Sequence, residues 1–158
     1  MGILSYLSDY PALTVFVTAM LPVLELRGAI PLGVSLGMTH LGSFAVAVAG
    51  NLVPVPFIII FIRRVFAWMK QRIPSLGGFV HRMEQKAEKK REFMYRWQLL
   101  GLFILVAVPL PGTGAWTGAL IAALLDIRLR AAFPSIAAGV IAAGVIVLGI
   151  TYGITGII

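Results

Sequence analysis

Glu25 and Arg27 sit inside an apolar run, Leu21-Pro22-Val23-Leu24-Glu25-Leu26-Arg27-Gly28-Ala29-Ile30-Pro31-Leu32-Gly33. An ionisable group at bilayer depth is a functional candidate by default, and a carboxylate there can take up and release a proton. Arginine adds a planar fork of donors, suited to an anionic headgroup or to backbone carbonyls left bare by a broken helix. Residues two apart on a helix do not face each other, so a direct Glu25–Arg27 pair requires irregular backbone. Glu25 is read as the proton site, with a structural ion pair as the rival reading. Arg27 is read as a substrate donor, with carbonyl satisfaction as its rival.

A second run, Val108-Pro109-Leu110-Pro111-Gly112-Thr113-Gly114-Ala115-Trp116-Thr117-Gly118, has the same character without the charges. Prolines stop a helix and glycines permit positive φ and close approach. Pro109, Pro111, Gly112, Thr113 and Gly114 are the expected tip of one fold-back, and Gly28 and Pro31 that of the other. A half-helix starting near Gly28 or Pro31 would turn free N–H groups toward an anion. Asn51, Trp116 and Thr117 are candidates to line a path, with helix–helix glue or packing as the plainer role for Asn51 and Trp116. The Gly-rich tip lacks the Gly-Lys-Ser/Thr ending of a nucleotide loop. There is no cysteine, and His40 and His81 are isolated, so no metal site or cofactor is expected. No Ser-His-Asp set or carboxylate pair supports hydrolysis, and the chain is not read as an enzyme.

The elements that position these groups follow from hydropathy. The chain has 158 residues, 59% hydrophobic and 12% charged, with a mean hydropathy of +0.97. Globular domains carry about 25% charged residues, so 1–158 is one all-α membrane domain. Four apolar stretches stand out: Pro11–Gly37, Leu41–Ile62, Leu99–Leu125 and Ala131–Ile158. A span needs about 20 residues; the second and fourth fit, with a kink at Pro54 and Pro56. The first and third are too long for one span and too short for two. As a lipid-facing helix the first would lose on the order of 10 kcal/mol to Glu25, Arg27, Pro22 and Pro31, about what its apolar residues return. Broken backbone at bilayer depth needs protein or a water-filled cavity around it, so both stretches are expected as re-entrant hairpins.

Ten of the thirteen Lys and Arg fall between Arg63 and Arg96. The net charge of +7 therefore reads as a cytoplasmic loop obeying the positive-inside rule, with no nucleic-acid partner. If 99–125 turns back, Asp126, Arg128 and Arg130 join that side, with Asp126 capping or pairing there. The layout is then hairpin and span twice: repeat 1 over 11–62, a basic cytoplasmic loop over 63–98, and repeat 2 over 99–158. The repeats have opposite orientation and both termini lie outside, the plan of many secondary transporters. Arg27–Ile30 is matched to Thr113–Trp116. Within the loop a break is expected at Ser75–Gly78, followed by helix with Glu88/Arg91 and Glu92/Arg96 pairs. The cluster Lys86–Arg91 is a topology signal or an anionic-lipid site. Met1–Tyr10 has no basic residue ahead of the apolar run and is not expected to be a signal peptide.

Glu-Leu-Arg-Gly-Ala-Ile-Pro at 25–31 and Pro-Leu-Pro-Gly-Thr-Gly-Ala-Trp-Thr-Gly at 109–118 resemble the two hallmark segments of the putative small multidrug export protein family. That family is similar in turn to the DedA or VTT superfamily. The superfamily resemblance implies opposed re-entrant hairpins that move lipid-linked phosphates, with Glu25 for its membrane carboxylate and Arg27 for its arginine. The expected function is a small proton-coupled secondary transporter in a prokaryotic cytoplasmic membrane, moving a drug-like compound or a lipid-linked phosphate. The expected partners are membrane lipids and a second copy of the chain. The dimer would pack through Ser135/Gly139/Ala143 and Gly149/Gly153. The alternative is a non-transporting assembly or lipid-binding protein.

Overall fold

The computed structural model describes residues 9–72, 91–110 and 112–153. These residues form seven helices and no strands. Pro11 opens α1 (Pro11–Met20), where its missing N–H does no harm. Pro22 blocks continuation, and residues 21–24 turn the chain into α2 (Glu25–Ser35). The expected turn at Gly28 and Pro31 is corrected: α2 starts at Glu25, so Gly28 lies in its first turn and Pro31 inside it. Pro22 suffices to break the run, whereas Pro31 removes one helical bond, to the Arg27 carbonyl. α2 ends on left-handed Gly37 (φ 86), with crossed bonds from Met38 N to Gly33 O and Gly37 N to Val34 O, both 3.0 Å. Thr39 caps α3 (His40–Leu52), its hydroxyl accepting from Gly42 N at 3.1 Å. The helix bends at Val53, ahead of Pro54 and Pro56, and continues as α4 (Pro54–Arg72).

The second half repeats this order. α5 (Arg91–Ala107) stops before Pro109, a loop follows, and α6 (Ala115–Leu124) leaves it. α6 also ends on a left-handed residue, Asp126 (φ 54), with Ile127 N bonded to Ala122 O at 2.9 Å and Asp126 N to Ala123 O at 3.2 Å. Then comes α7 (Leu129–Tyr152). His40–Val65 and Leu129–Tyr152 are long and apolar enough to cross a membrane. With Phe57, Phe61, Ile141 and Ile150 exposed on them, the chain reads as an all-helical membrane protein, as its composition implied.

The two long helices are antiparallel. His40 stacks edge-on against Tyr152 with ring centroids 4.6 Å apart, a Cβ on Gly144 would strike the Phe44 ring, and Arg63 pairs with Asp126 at 2.8 Å. Each broken pair packs on its own long helix: α1 and α2 on α3, α5 and α6 on α7. The second arms also cross over, α6 onto α4 and α2 onto α7. The core lies where these meet and includes Ile30, Ile59, Val106, Ile136 and Val140.

Of the face Ser135/Gly139/Ala143, expected to meet a second copy, Ser135 and Gly139 pack on α5 of the same chain. Ser135 Oγ donates to Leu99 O at 2.6 Å, and a Cβ on Gly139 would lie 3.0 Å from Phe103 O. Gly149 and Gly153 have open space beside them. Pro111, His81, the Ser75–Gly78 break, the Lys86–Arg91 cluster and the side-chain pairs of the basic loop fall outside the described residues.

Candidate functional site

The two broken segments meet, and Glu25 and Arg27 make the junction. Glu25 opens α2 in the left-handed region (φ 48). That conformation costs a non-glycine residue about 1–3 kcal/mol, so the surroundings must hold it. Its side chain is 5% exposed. Oε1 accepts from the Trp116 backbone N–H at 3.4 Å, in the first turn of α6. A carboxylate from one broken segment thus serves as the N-terminal cap of a helix in the other, where the helix dipole favours negative charge. Gly114 makes room for it. A Cβ there would collide with the carboxylate, and its φ of 137 suits only glycine.

Arg27 reaches the same loop by a different route. Nη2 donates to Thr113 O at 2.8 Å and to Thr113 Oγ1 at 2.9 Å, and Nη1 donates to Leu110 O. No Glu25–Arg27 ion pair forms among the described residues; each charge turns to the opposite segment instead. Of the two sequence readings of Arg27, carbonyl satisfaction is the one the contacts display.

Thr113 knots the loop from within. Its hydroxyl lies 2.7 Å from Val108 O and 2.8 Å from Leu110 O, and accepts from Leu110 N at 3.2 Å. Thr117 Oγ donates to Gly112 O at 2.9 Å. Pro109 supplies no donor, so loop carbonyls are satisfied by Arg27, Thr113 and Thr117. Trp116 returns the favour across the junction, its indole N–H donating to Met20 O at 3.0 Å, at the end of α1.

Asn51 is set apart from this network. It is fully buried in α3, and neither its Oδ1 nor its Nδ2 has a hydrogen-bond partner. Gly50 beside it presses on the α1 backbone, where a Cβ would strike Phe16 O.

The structure therefore brings together Glu25, Arg27, Gly112, Thr113, Gly114, Trp116 and Thr117. Gly28 and Pro31 lie further along α2, outside the junction, and Pro109 sits in the loop without a polar role. Among the described residues no group of His, Cys, Asp and Glu could hold a metal ion. Sequence reasoning missed the Met20 and Leu110 carbonyls as partners, since backbone acceptors carry no residue signal. It also missed Arg63 as the partner of Asp126.

Comparison with known families gives a match over most of the chain. The family described as putative small multi-drug export protein matches residues 25–146, from the junction carboxylate to late α7. No curated protein and no solved structure matches the chain.

Proposed function

The chain belongs to the putative small multi-drug export protein family, and on that premise we propose that it is a proton-coupled secondary transporter for an amphipathic substrate, built as two re-entrant hairpins in inverted repeat. The observation that carries this reading is the junction itself: a buried carboxylate and a guanidinium of one broken segment seated on the backbone of another. Arm lengths support re-entry. α1, α2 and α6 have 10, 11 and 10 residues, about 15–17 Å at 1.5 Å per residue, half of a hydrocarbon core about 30 Å thick. Irregular backbone at that depth is viable only inside protein or beside a cavity, and the hydrogen bonds across the junction answer that requirement.

Inversion is supported by direction. α3 with α4 runs opposite to α7, and each hairpin precedes its own long helix, so the two hairpins enter from opposite faces. The pairing of Arg63 with Asp126 puts the end of α6 back beside the basic half of the chain, favouring a cytoplasmic Asp126–Arg130 and outward-facing turns at 37–39. Glu25 would load a proton as the junction opens, and its release would reseat the carboxylate on α6.

Two experiments test the reading. Single cysteines at Leu41 and Leu125, in a chain with no native cysteine, should react with impermeant thiol reagents from opposite faces. Purified protein in vesicles should move ethidium against an imposed pH gradient, and Glu25→Gln should abolish that coupling. Labelling of both cysteines from one face overturns the inverted layout. Absence of proton-coupled flux for both ethidium and a lipid phosphate overturns the transporter and leaves a membrane assembly or lipid-binding role.

A further inference from the structure

The two halves correspond by one constant step along the chain. The step from Gly37 to Asp126, each the left-handed end of a second arm, is also the step from Thr39 to Arg128, each preceding a long helix. It is again the step from Gly50 to Gly139, where added Cβ atoms would meet the carbonyls of Phe16 and Phe103. The same step takes Glu25 to Gly114, Arg27 to Trp116 and Asn51 to Val140. The match of Arg27 to Thr113 expected from sequence is out of register, because the second loop is longer than the first turn.

Asn51 and Val140 are thus the same core position in two halves, both fully buried. Valine fills that position without difficulty, so no packing requirement explains an amide there. A buried amide with neither end bonded is a standing penalty. Its depth is informative. α4 and α6 run side by side toward Arg63 and Asp126. Counting back equally from that pair brings Asn51 level with Gly114, the residue against which the Glu25 carboxylate packs. Gly50 adjoins α1 near its end at Met20, and Met20 is bonded to Trp116. Among the described residues Asn51 alone has buried side-chain polar atoms without a partner, and it stands level with a carboxylate that has one oxygen bonded to Trp116 N.

Their chemistry selects a ligand. The anion-binding groups are already taken: the α6 N-terminus by Glu25, and the Arg27 fork by Leu110 and Thr113. What is left over is acceptor capacity: the unpartnered Oδ1 of Asn51, and the second oxygen of Glu25, whose bond from Trp116 uses Oε1. We propose that Glu25 and Asn51 form the substrate site of this transporter and that it takes a protonated amine, whose N–H groups donate to both side chains. This deepens the transport reading and rests on it for biological meaning, but the site is testable by binding alone.

The test uses full-length protein in detergent at fixed pH, with octylammonium and octyltrimethylammonium as probes. They share charge and chain and differ in N–H donors. Wild type should bind octylammonium about tenfold more tightly, the effect of one charge-assisted hydrogen bond. Asn51→Val, which installs the residue of the other half, should raise the melting temperature and cut that preference to what Glu25 alone supplies. Asn51→Thr, retaining one hydroxyl, should keep part of it and serves if the valine variant does not fold. Equal affinities in wild type, no binding of either probe, or a preference unchanged in Asn51→Val or Asn51→Thr overturns the site. Selective binding without flux in vesicles keeps the site and overturns transport, whereas flux without amine selectivity does the reverse.

Discussion

The two hairpins share packing and divide the chemistry. In each, the first arm lays a phenylalanine carbonyl, Phe16 or Phe103, against a glycine of the following long helix. In each, the second arm wedges a glycine inward: Gly33 against Val15 and Ser43, Gly118 against Val106 and Ile136. Both second arms close with the same crossed backbone bonds. Yet the first hairpin brings side-chain charge, and the second receives it with backbone and the Thr113 hydroxyl. On the proposed repeat, the scaffold is duplicated and the polar groups are not, which would locate the chemistry in the differences: Glu25 against Gly114, Arg27 against Trp116, Asn51 against Val140.

The sharpest way to break that division is to give the receiving segment a side chain. Gly114→Ala adds a methyl group where the Glu25 carboxylate lies and forces alanine to φ 137. Backbone strain and overpacking together predict a loss of about 2–5 kcal/mol, read as a fall in unfolding midpoint in detergent. Gly112 also has positive φ (81) but open space beside it, so Gly112→Ala should lose only about 1–2 kcal/mol. Equal losses would mean that the carboxylate does not occupy the space over Gly114.

The clasp across the junction is reciprocal but unequal. Arg27→Met leaves the Leu110 and Thr113 carbonyls without their charged donor and should lose about 2–4 kcal/mol. Lysine should not rescue it, because a single ammonium cannot reproduce the fork. Trp116→Phe removes one neutral bond, to Met20 O, and should lose about 0.5–1.5 kcal/mol beyond any packing change. A larger effect at Trp116 than at Arg27 would reverse which segment holds the other.

A matched pair tests the shared part. Gly50→Ala and Gly139→Ala each press a methyl group into the backbone of a first arm and should each lose about 1–3 kcal/mol by overpacking. Unfolding midpoints that fall by similar amounts support equivalent packing. Tolerance at one site alone would show that the halves only look alike.

Much of this was legible in the sequence. The prolines and glycines of the two runs, Pro22, Gly28 and Pro31 in one and Pro109, Gly112 and Gly114 in the other, marked two breaks, since few arrangements accommodate them in an apolar run. Glu25 and Arg27 stood out because charge is rare there. The exact turn was not legible: either Pro22 or Pro31 could have ended a helix, and only the capping role of Glu25 makes α2 start where it does. The register of the proposed repeat was hidden too. It is written in close backbone approaches at Gly50 and Gly139, and in a chain of 17 glycines no single one declares its contact. The partners of Arg27 are carbonyls more than eighty positions away, which no local pattern encodes.

The smallest expected effect concerns the ends of the second arms. Asp126 holds the left-handed position that Gly37 fills in the first half, and its carboxylate pairs with Arg63 at 2.8 Å. The pair is well exposed, at 37% and 78% of the two side chains, so screening leaves it worth no more than about 0.5 kcal/mol. Asp126→Asn keeps a residue that tolerates positive φ and loses the pair, so it should lower the midpoint marginally, with the difference vanishing in high salt. Asp126→Gly loses the same pair but relieves the backbone by up to about 1 kcal/mol, so it should be neutral or slightly stabilising. If both substitutions instead lowered the midpoint clearly, Arg63–Asp126 would be stronger than exposure allows. The contact between the basic side and the second hairpin would then be a structural latch, with no counterpart at Gly37.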